Sequence, residues 1–385
     1  MLRVHHLITG LHTGGAEMAL FRLLKTMQDL GYAVENRVTS LVPGGPLAER
    51  IRSLGVEVDD LSMRRSLPGP MALPRMAGKL RRFSPDLLQT WMYHADLLGL
   101  MAARLAKVRT VVWNVRCTRM DFSRYSRVTK WTVAACARFS GRPAAVLANS
   151  HAGKRDHLDM GYHPKRFEVI PNGIDLDLFR PDLEARESLR AELGVGPDEV
   201  LVGVAARFDP MKGHEVLCRA AALAGKEAPG LRLALAGDRM DASNPQLMAW
   251  LRENGLNKGT DEGGRVLLLG RRDDMHRVHA GLDVLCSSSL YGEGFPNTVA
   301  EAMACGVPCV VTDVGDAARM VGGTGTVVAP GDDVALAAAL ARMALMGFDA
   351  RVKLGRAARA RAEAEFSLQA MARSYLDLYA ELAAT

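Results

Sequence analysis

No stretch of this chain stays apolar for the roughly 18–20 residues that a bilayer crossing requires. The two nearest candidates, residues 95–106 and 334–346, each carry an arginine and read as helices. A membrane span is therefore not expected. The charged, apolar and small-residue succession of a secretory signal is missing as well, since MLRVHHLITG passes directly into a strand-like segment. Cytoplasmic residence is the expectation, with peripheral attachment at the inner face of a membrane left open. The six cysteines (117, 136, 218, 286, 305 and 309) lack zinc-type spacing and read as core thiols, so no metal site is expected. Long polar tracts are absent, which excludes a largely disordered chain. Absent too is Gly-x-Gly-x-x-Gly with an acid about 20 residues on, the pattern a dinucleotide enzyme needs; LHTGGAEMAL does not supply it.

What is present suits two globular α/β units. At 385 residues the chain exceeds one ordinary core and fits two domains of roughly 150–200 residues. Short β-rich runs at residues 3–9, 33–41, 86–89, 110–115 and 144–148 alternate with amphipathic segments. The rhythm restarts at 200–206 and continues through 231–236, 266–268, 283–286 and 309–312. Such alternation predicts parallel sheets wound on both faces, hence two Rossmann-like domains. Between them IPNGIDLDLFRPD (170–182) interrupts the periodicity with Pro-Asn-Gly and Arg-Pro, which places the boundary near residue 171. Doubly wound domains hold ligands at the carboxyl ends of their strands, here in the crevice where two domains would face each other.

Charge divides unevenly. Residues 1–170 hold 26 Lys and Arg against 13 Asp and Glu, a net +13, and the remainder carries −7. A basic half facing an anionic substrate, lipid surface or nucleic acid is one reading; a solvated surface is the other.

The densest chemistry lies at YGEGFPNTVAEAMACG (291–306). A helix starting near Asn297 or Thr298 would turn its first backbone N–H groups and positive dipole end toward the crevice, which suits a diphosphate. Glu301, one turn inside, is placed to accept from ribose hydroxyls. Glu293 and the backbone of Gly294, Phe295, Pro296 and Asn297 could do the same for sugar hydroxyls. The bland alternative is a capping loop with two surface acids.

These residues belong to a longer series, EGFPNTVAEAMACGVP (293–308), GLHTGGAEMAL (10–20), ANSHAGKRDHLDMGY (148–162), VIPNGIDLDLF (169–179), GVAARFDPMKGHEVL (203–217) and LALAGD (233–238). In content, order and spacing the series resembles the retaining GT-B glycosyltransferases of family 4, over nearly the whole chain. That resemblance implies an N-terminal Rossmann-like acceptor domain (1–170) and a C-terminal nucleotide-sugar domain (171–366), facing across a cleft. It further implies a final helix (367–385) crossing back to the first domain, and a metal-independent reaction with no cofactor beyond the nucleotide-sugar substrate. Arg207 and Lys212, at a spacing that lets both cations converge on one phosphate pair, occupy the positions that stabilise the leaving diphosphate in the family. Two surface cations on a turn is the alternative. Arg272 joins the expected donor-binding set. Gly14 and Gly15 fall to the donor phosphate or acceptor side, against a simple tight turn, with His12 nearby as an acceptor contact or a solvent-facing loop histidine.

One position departs from the pattern. Where many family members carry a histidine after the fifth strand, VVWNVRCT places Arg116, which would bind an anionic group. His94 is then the candidate base and acceptor contact, unless it caps or packs the helix that follows. Segment 116–142 interleaves Arg119, Arg124, Arg127, Lys130 and Arg138 with Phe122, Tyr125, Trp131 and Phe139. The mixture suits contact with an anionic membrane or an ordinary solvated amphipathic helix. No nucleic-acid module accompanies these charges. The expected activity is transfer of a hexose-type unit, from UDP, to a glycan or lipid-linked acceptor in cell-surface polysaccharide or glycolipid synthesis. A nucleotide-sugar epimerase of the same fold, which would need further acid and base carboxylates, and a non-catalytic nucleotide-sugar-binding protein are the competing readings.

Overall fold

The computed structural model describes residues 1–12, 14–63, 71–118, 126–256 and 265–384. They divide into two compact units, Met1–Gly173 with Leu368–Thr385, and Ile174–Ser367. The first unit runs β1 Leu2–Ile8, α1 Gly15–Asp29, β2 Val34–Ser40, α2 Pro46–Arg52, β3 Glu57–Asp60, α3 Ala72–Phe83, β4 Leu87–Trp91, α4 Tyr93–Ala106, β5 Thr110–Val115, α5 Arg127–Phe139, β6 Ala145–Ala148, α6 His151–Asp159 and β7 Phe167–Val169. The second runs α7 Leu183–Glu192, β8 Val200–Ala205, α8 His214–Glu227, β9 Leu231–Ala236, α9 Pro245–Glu253, β10 Val266–Gly270, α10 Met275–Gly281, β11 Val284–Ser287, α11 Asn297–Ala304, β12 Cys309–Thr312, α12 Ala317–Val321, β13 Gly325–Val328, α13 Asp333–Leu345 and α14 Phe348–Glu365. The last helix, α15 Leu368–Ala383, returns to the first unit.

Among the described residues the first sheet has the order β3-β2-β1-β4-β5-β6-β7 and the second β10-β9-β8-β11-β12-β13. All pairings are parallel. Strands covered on both faces read as unbroken apolar runs rather than alternating ones. Accordingly LLQTW of β4, AVLA of β6 and LRLALA of β9 are buried at every position. Two doubly wound Rossmann-like units are thus observed, each with its own core. The expected strands appear, with ends shifted by a residue or two. Three edge strands, β3, β7 and β13, were not foreseen: they are three or four residues long and only half-buried, so they carry no apolar run. No helix among the described residues is long and apolar enough to cross a membrane.

The hold of α15 on the first sheet is specific. Met371, Ala372, Tyr375, Leu378 and Tyr379 form a buried stripe at helical spacing. Tyr375 accepts a hydrogen bond from Asn114 Nδ2 at 2.7 Å, Tyr379 donates to Gln89 Oε1 at 3.1 Å, and the Tyr375 ring stacks on Trp91 at 6.1 Å. The helix thereby gives Asn114 Nδ2 an acceptor and Gln89 Oε1 a donor inside the sheet.

Asp96, in the first turn of α4, is fully buried and accepts from Thr90 Oγ1 at 2.5 Å, while its Oδ2 has no partner. Loss of hydration pushes its carboxyl up to about 7, against the hydrogen bond from Thr90. The folded state then holds this proton more tightly than the unfolded chain. Stability from Asp96 is complete below the ordinary carboxyl range and is lost as pH rises through about 7. The Asp96→Asn variant should remove that slope. Urea melts at pH 5 and pH 8 should show the wild type losing a few kcal/mol relative to the variant, and parallel pH profiles would refute the assignment.

Candidate active site

Two adjacent strands of the second unit position the predicted acids and bases. β8 pairs with β11 through Val202 with Val284 and Gly203 with Leu285, so the loops leaving both carboxyl ends emerge side by side. From β8 the chain passes Arg207 and enters a single 3-10 turn, Pro210–Lys212, that Asp209 caps by accepting from Met211 N at 3.1 Å. Gly213 then takes φ +66, where a Cβ would lie 2.2 Å from the Ser288 carbonyl oxygen. That close approach locks the two loops together, reinforced by Leu290 N to Met211 O at 2.7 Å and Ser288 Oγ to Lys212 O at 2.9 Å. His214 buttresses the turn from below, bonding Arg207 O at 3.0 Å and stacking on Phe208 at 5.6 Å. Burial lowers the affinity of its imidazole for a second proton.

The result is a paired cation and anion. Lys212 Nζ lies 2.5 Å from Glu293 Oε1, with the two side chains 17% and 10% exposed, and Ser289 Oγ donates to the same oxygen at 2.6 Å. Arg207 stands apart, 61% exposed on its side chain, bonding Asp209 Oδ2 at 3.2 Å and Met211 Sδ at 3.7 Å. The bend after Glu293 is fixed from the β12–α12 loop. Asp316 N donates to Gly294 O at 2.9 Å, and Gly315 at φ +66 would place a Cβ 2.6 Å from Glu293 O. Phe295 is buried edge-on against Phe366 at 5.4 Å. Pro296 then leads into α11, whose N-terminus has no side-chain cap. Thr298 Oγ1 in its first turn is buried with no hydrogen-bond partner among the described residues, and Glu301 follows one turn on, 17% exposed. With no side chain capping it, the positive end of the α11 dipole makes this terminus suited to an anion.

Arg272 follows the carboxyl end of β10, two strands from β8. Its guanidinium is taken by both oxygens of Asp274 at 2.7 Å and by Glu192 Oε1 at 2.7 Å. With Arg277 joining the same two carboxylates, this network ties α7 to α10. The hydrogen bonds to Arg272 hold the Asp274 carboxyl well below its usual range.

The remaining candidates lie in the first unit. Gly14 and Gly15 open α1, which has no side-chain cap either, and a side chain at residue 15 would meet nothing within 4 Å. His12 is exposed. Met92 turns the chain into α4 with a left-handed φ of 74, a strained value for a side chain of this kind, and sets His94 at the helix start. Partial burial lowers the His94 pKa. Arg116, at the end of β5, bonds Asn172 Oδ1 and lies 5.7 Å from the Trp91 ring centroid, with burial lowering its own pKa. Of segment 116–142, residues 119–125 fall outside the described residues, including Arg119, Phe122, Arg124 and Tyr125. Sequence reasoning missed Ser289, Asp209 and His279. Only Asp209 carried a local signal, a capping acid directly before proline.

Two doubly wound Rossmann-like units in one chain, the second bearing a part-buried lysine–glutamate pair beside a helix start, are the architecture of the GT-B class. Residues 13–178 match the family model described as Glycosyltransferase Family 4, and residues 199–345 that of Glycosyl transferases group 1. The chain belongs to this glycosyltransferase family and is a transferase. It is 27% identical over 329 residues to EpsF of Bacillus subtilis, a protein named as a glycosyltransferase, covering 81% of this chain and 79% of that one. It is 33% identical over 223 residues to a D-inositol 3-phosphate glycosyltransferase of Saccharomonospora viridis, covering 57% of this chain and only 51% of that relative. Among solved structures, HepE of Anabaena in complex with UDP superposes with a TM-score of 0.83 at 23% identity, covering 99% of this chain and all of that one. Sucrose-phosphate synthase of Thermosynechococcus elongatus gives 0.76 at 21%, covering 99% of both chains. At such identities these structures speak to the fold.

Proposed function

We propose that this enzyme moves a hexose-type sugar from a nucleoside diphosphate, UDP being best supported, to a hydroxyl of a glycan or lipid-linked acceptor with retention at the anomeric carbon. The observation that carries the reading is the Lys212–Glu293 pair beside the uncapped start of α11. In this reading Lys212 and Arg207 take the departing diphosphate, the α11 terminus with Thr298 adds backbone N–H groups, and Glu301 accepts from the ribose. Glu293 and the Gly294–Asn297 backbone receive the sugar hydroxyls. The bond from C1 to the phosphate oxygen breaks, the acceptor oxygen bonds C1 on the same face, and its proton passes to the departing phosphate. No protein base is then required; His94, His12 and Arg116 serve the acceptor, with Gly14 and Gly15 giving it close approach to backbone. The solved complexes of HepE with UDP and with UDP-glucose support this choice of donor.

The acceptor side of the reading includes contact with the anionic inner face of a membrane. On α5, Trp131 is 77% exposed among the outward cations Arg127, Lys130 and Arg138. On the neighbouring α4, Met101 and Leu105 are also exposed, and a groove of about 440 Å³ runs between Leu97, Leu100, Met101 and Phe139. Arg104, Arg109 and Arg142 line the same groove, which has no acidic residue among the described residues.

The test is incubation of the purified chain with radiolabelled UDP- and GDP-sugars and a membrane lipid extract. Label should enter lipid or glycan from a UDP-sugar. Interconversion of the sugar without acceptor would indicate the epimerase, and binding without turnover would indicate the non-catalytic nucleotide-sugar-binding protein.

A further inference from the structure

The geometry points to His279 as a positioning residue for the donor's ribose, acting through Glu301. This rests on the reading of Glu301 as the ribose acceptor. His279 sits on α10, the helix before β11, which packs against both α7 and α11. Its side chain is fully buried, and neither ring nitrogen makes a hydrogen bond among the described residues. One face of its surroundings is aromatic, Phe179 lying edge-on at 6.0 Å. Nε2 points to Glu301, at 3.5 Å from Oε2, within ion-pair distance but not in hydrogen-bond alignment.

A fully desolvated imidazole without a partner is rare, because even the neutral ring carries one N–H that water can no longer satisfy. Here the acceptor within reach is the carboxylate that also opens toward solvent at the start of α11. A short rotation of Glu301 closes the gap, so that Nε2–H binds Oε2 and Oε1 is left facing outward. Two ribose hydroxyls donating to Oε1 favour that rotamer, and the histidine favours it in turn. The imidazole thus supplies the hydrogen bond that fixes a flexible glutamate in the orientation the ligand needs, while touching no substrate itself. Nothing in the local sequence, RVHAGLDVLC, distinguishes this histidine from a packing residue.

The experiment measures binding of UDP and of 2′,3′-dideoxy-UDP by calorimetry to the wild type, His279→Phe, His279→Asn and Glu301→Ala. Phenylalanine fills the volume without a donor, and asparagine restores one. The expected result is that His279→Phe weakens UDP about tenfold and dideoxy-UDP less than about twofold, while His279→Asn stays within about threefold for both. Because the two ligands are compared on one protein, a general loss of folded protein cancels. Equal weakening of both ligands by His279→Phe, or no weakening of either, overturns the inference. Should the wild type bind the two ligands equally, with Glu301→Ala neutral, the ribose reading itself fails and the inference with it. A wild type that discriminates through Glu301 but ignores His279 refutes the inference alone.

Discussion

Replacing Lys212 by alanine should lower the rate of sugar transfer by two to three orders of magnitude, with the fold retained. The argument is one of preorganisation. A departing diphosphate gathers negative charge, and a donor already fixed where that charge appears contributes about 3–4 kcal/mol, equivalent to about 10²–10³ in kcat. Lys212 is fixed: its ammonium is largely buried and lies 2.5 Å from Glu293, on a turn locked by Gly213. Arg207 is not, being mostly exposed and loosely bonded to Asp209. Its removal should cost less, about tenfold, and appear more in KM than in kcat. Arginine at 212 should not rescue, because a planar fork does not fit where a compact ammonium sits between a carboxylate and a phosphate. Losing the lysine also strands Glu293, 10% exposed, with Ser289 as its remaining donor. The Lys212→Ala/Glu293→Gln double variant should therefore recover thermal stability without recovering turnover. Steady-state kinetics beside thermal melts separate the two effects; a kcat within about threefold of wild type for Lys212→Ala would remove the clamp.

How far such detail can be read from the chain itself depends on the range of the interaction. Central strands are legible because burial on both faces writes them as continuous apolar runs, as in VVWNV of β5. β3, with the sequence EVDD, exposed at Glu57 and half-buried at the next three positions, is held by pairing to β2 rather than by any pattern of its own. The site divides the same way. Glu293, Glu301 and the helix between them lie in one short segment, and their arrangement follows from local geometry. Lys212 and Glu293 are 81 positions apart, and their contact exists because β8 and β11 are neighbours in the sheet. Arg272 shows the converse: its spacing after a strand, and the acid two residues on, resemble those of Arg207, yet tertiary contact adds a second carboxylate, Glu192, to its local partner Asp274. Since spacing records where a cation sits along the chain and not what neutralises it, the reading of Arg272 as a donor ligand could not be separated from an ion-pair role.

The same β8–β11 neighbourhood makes Asp283 the residue whose loss should damage the second unit most. Its side chain is 5% exposed and accepts three hydrogen bonds, from Arg186 Nη2 at 2.6 Å, Arg190 Nη1 at 2.7 Å and Leu201 N at 2.8 Å. It thus joins the start of β11 to β8 and to α7 in one group. Arg190, 11% exposed, also binds Gly196 O at 2.6 Å and Glu199 O at 2.8 Å, bracing the segment that leads into β8. Alanine at 283 would leave a nearly buried guanidinium without its counter-charge and an N–H of the sheet without its acceptor. Breaking a buried pair in this way costs about 3–5 kcal/mol. For a unit of this size each kcal/mol lowers the melting temperature by about 2–4 °C, so calorimetry should record a fall of roughly 10 °C. Asparagine should fall between alanine and wild type, keeping an acceptor but losing the charge. Because Asp283 precedes β11 while the site lies beyond the strand's other end, UDP affinity measured well below the melt should stay within about twofold of wild type. Lys212→Ala is expected to show the opposite emphasis, a large loss of turnover beside a smaller fall in melting temperature, which Glu293→Gln added to it reverses. A melting shift under about 2 °C for Asp283→Ala would mean that the network holds the sheet far less than its geometry requires.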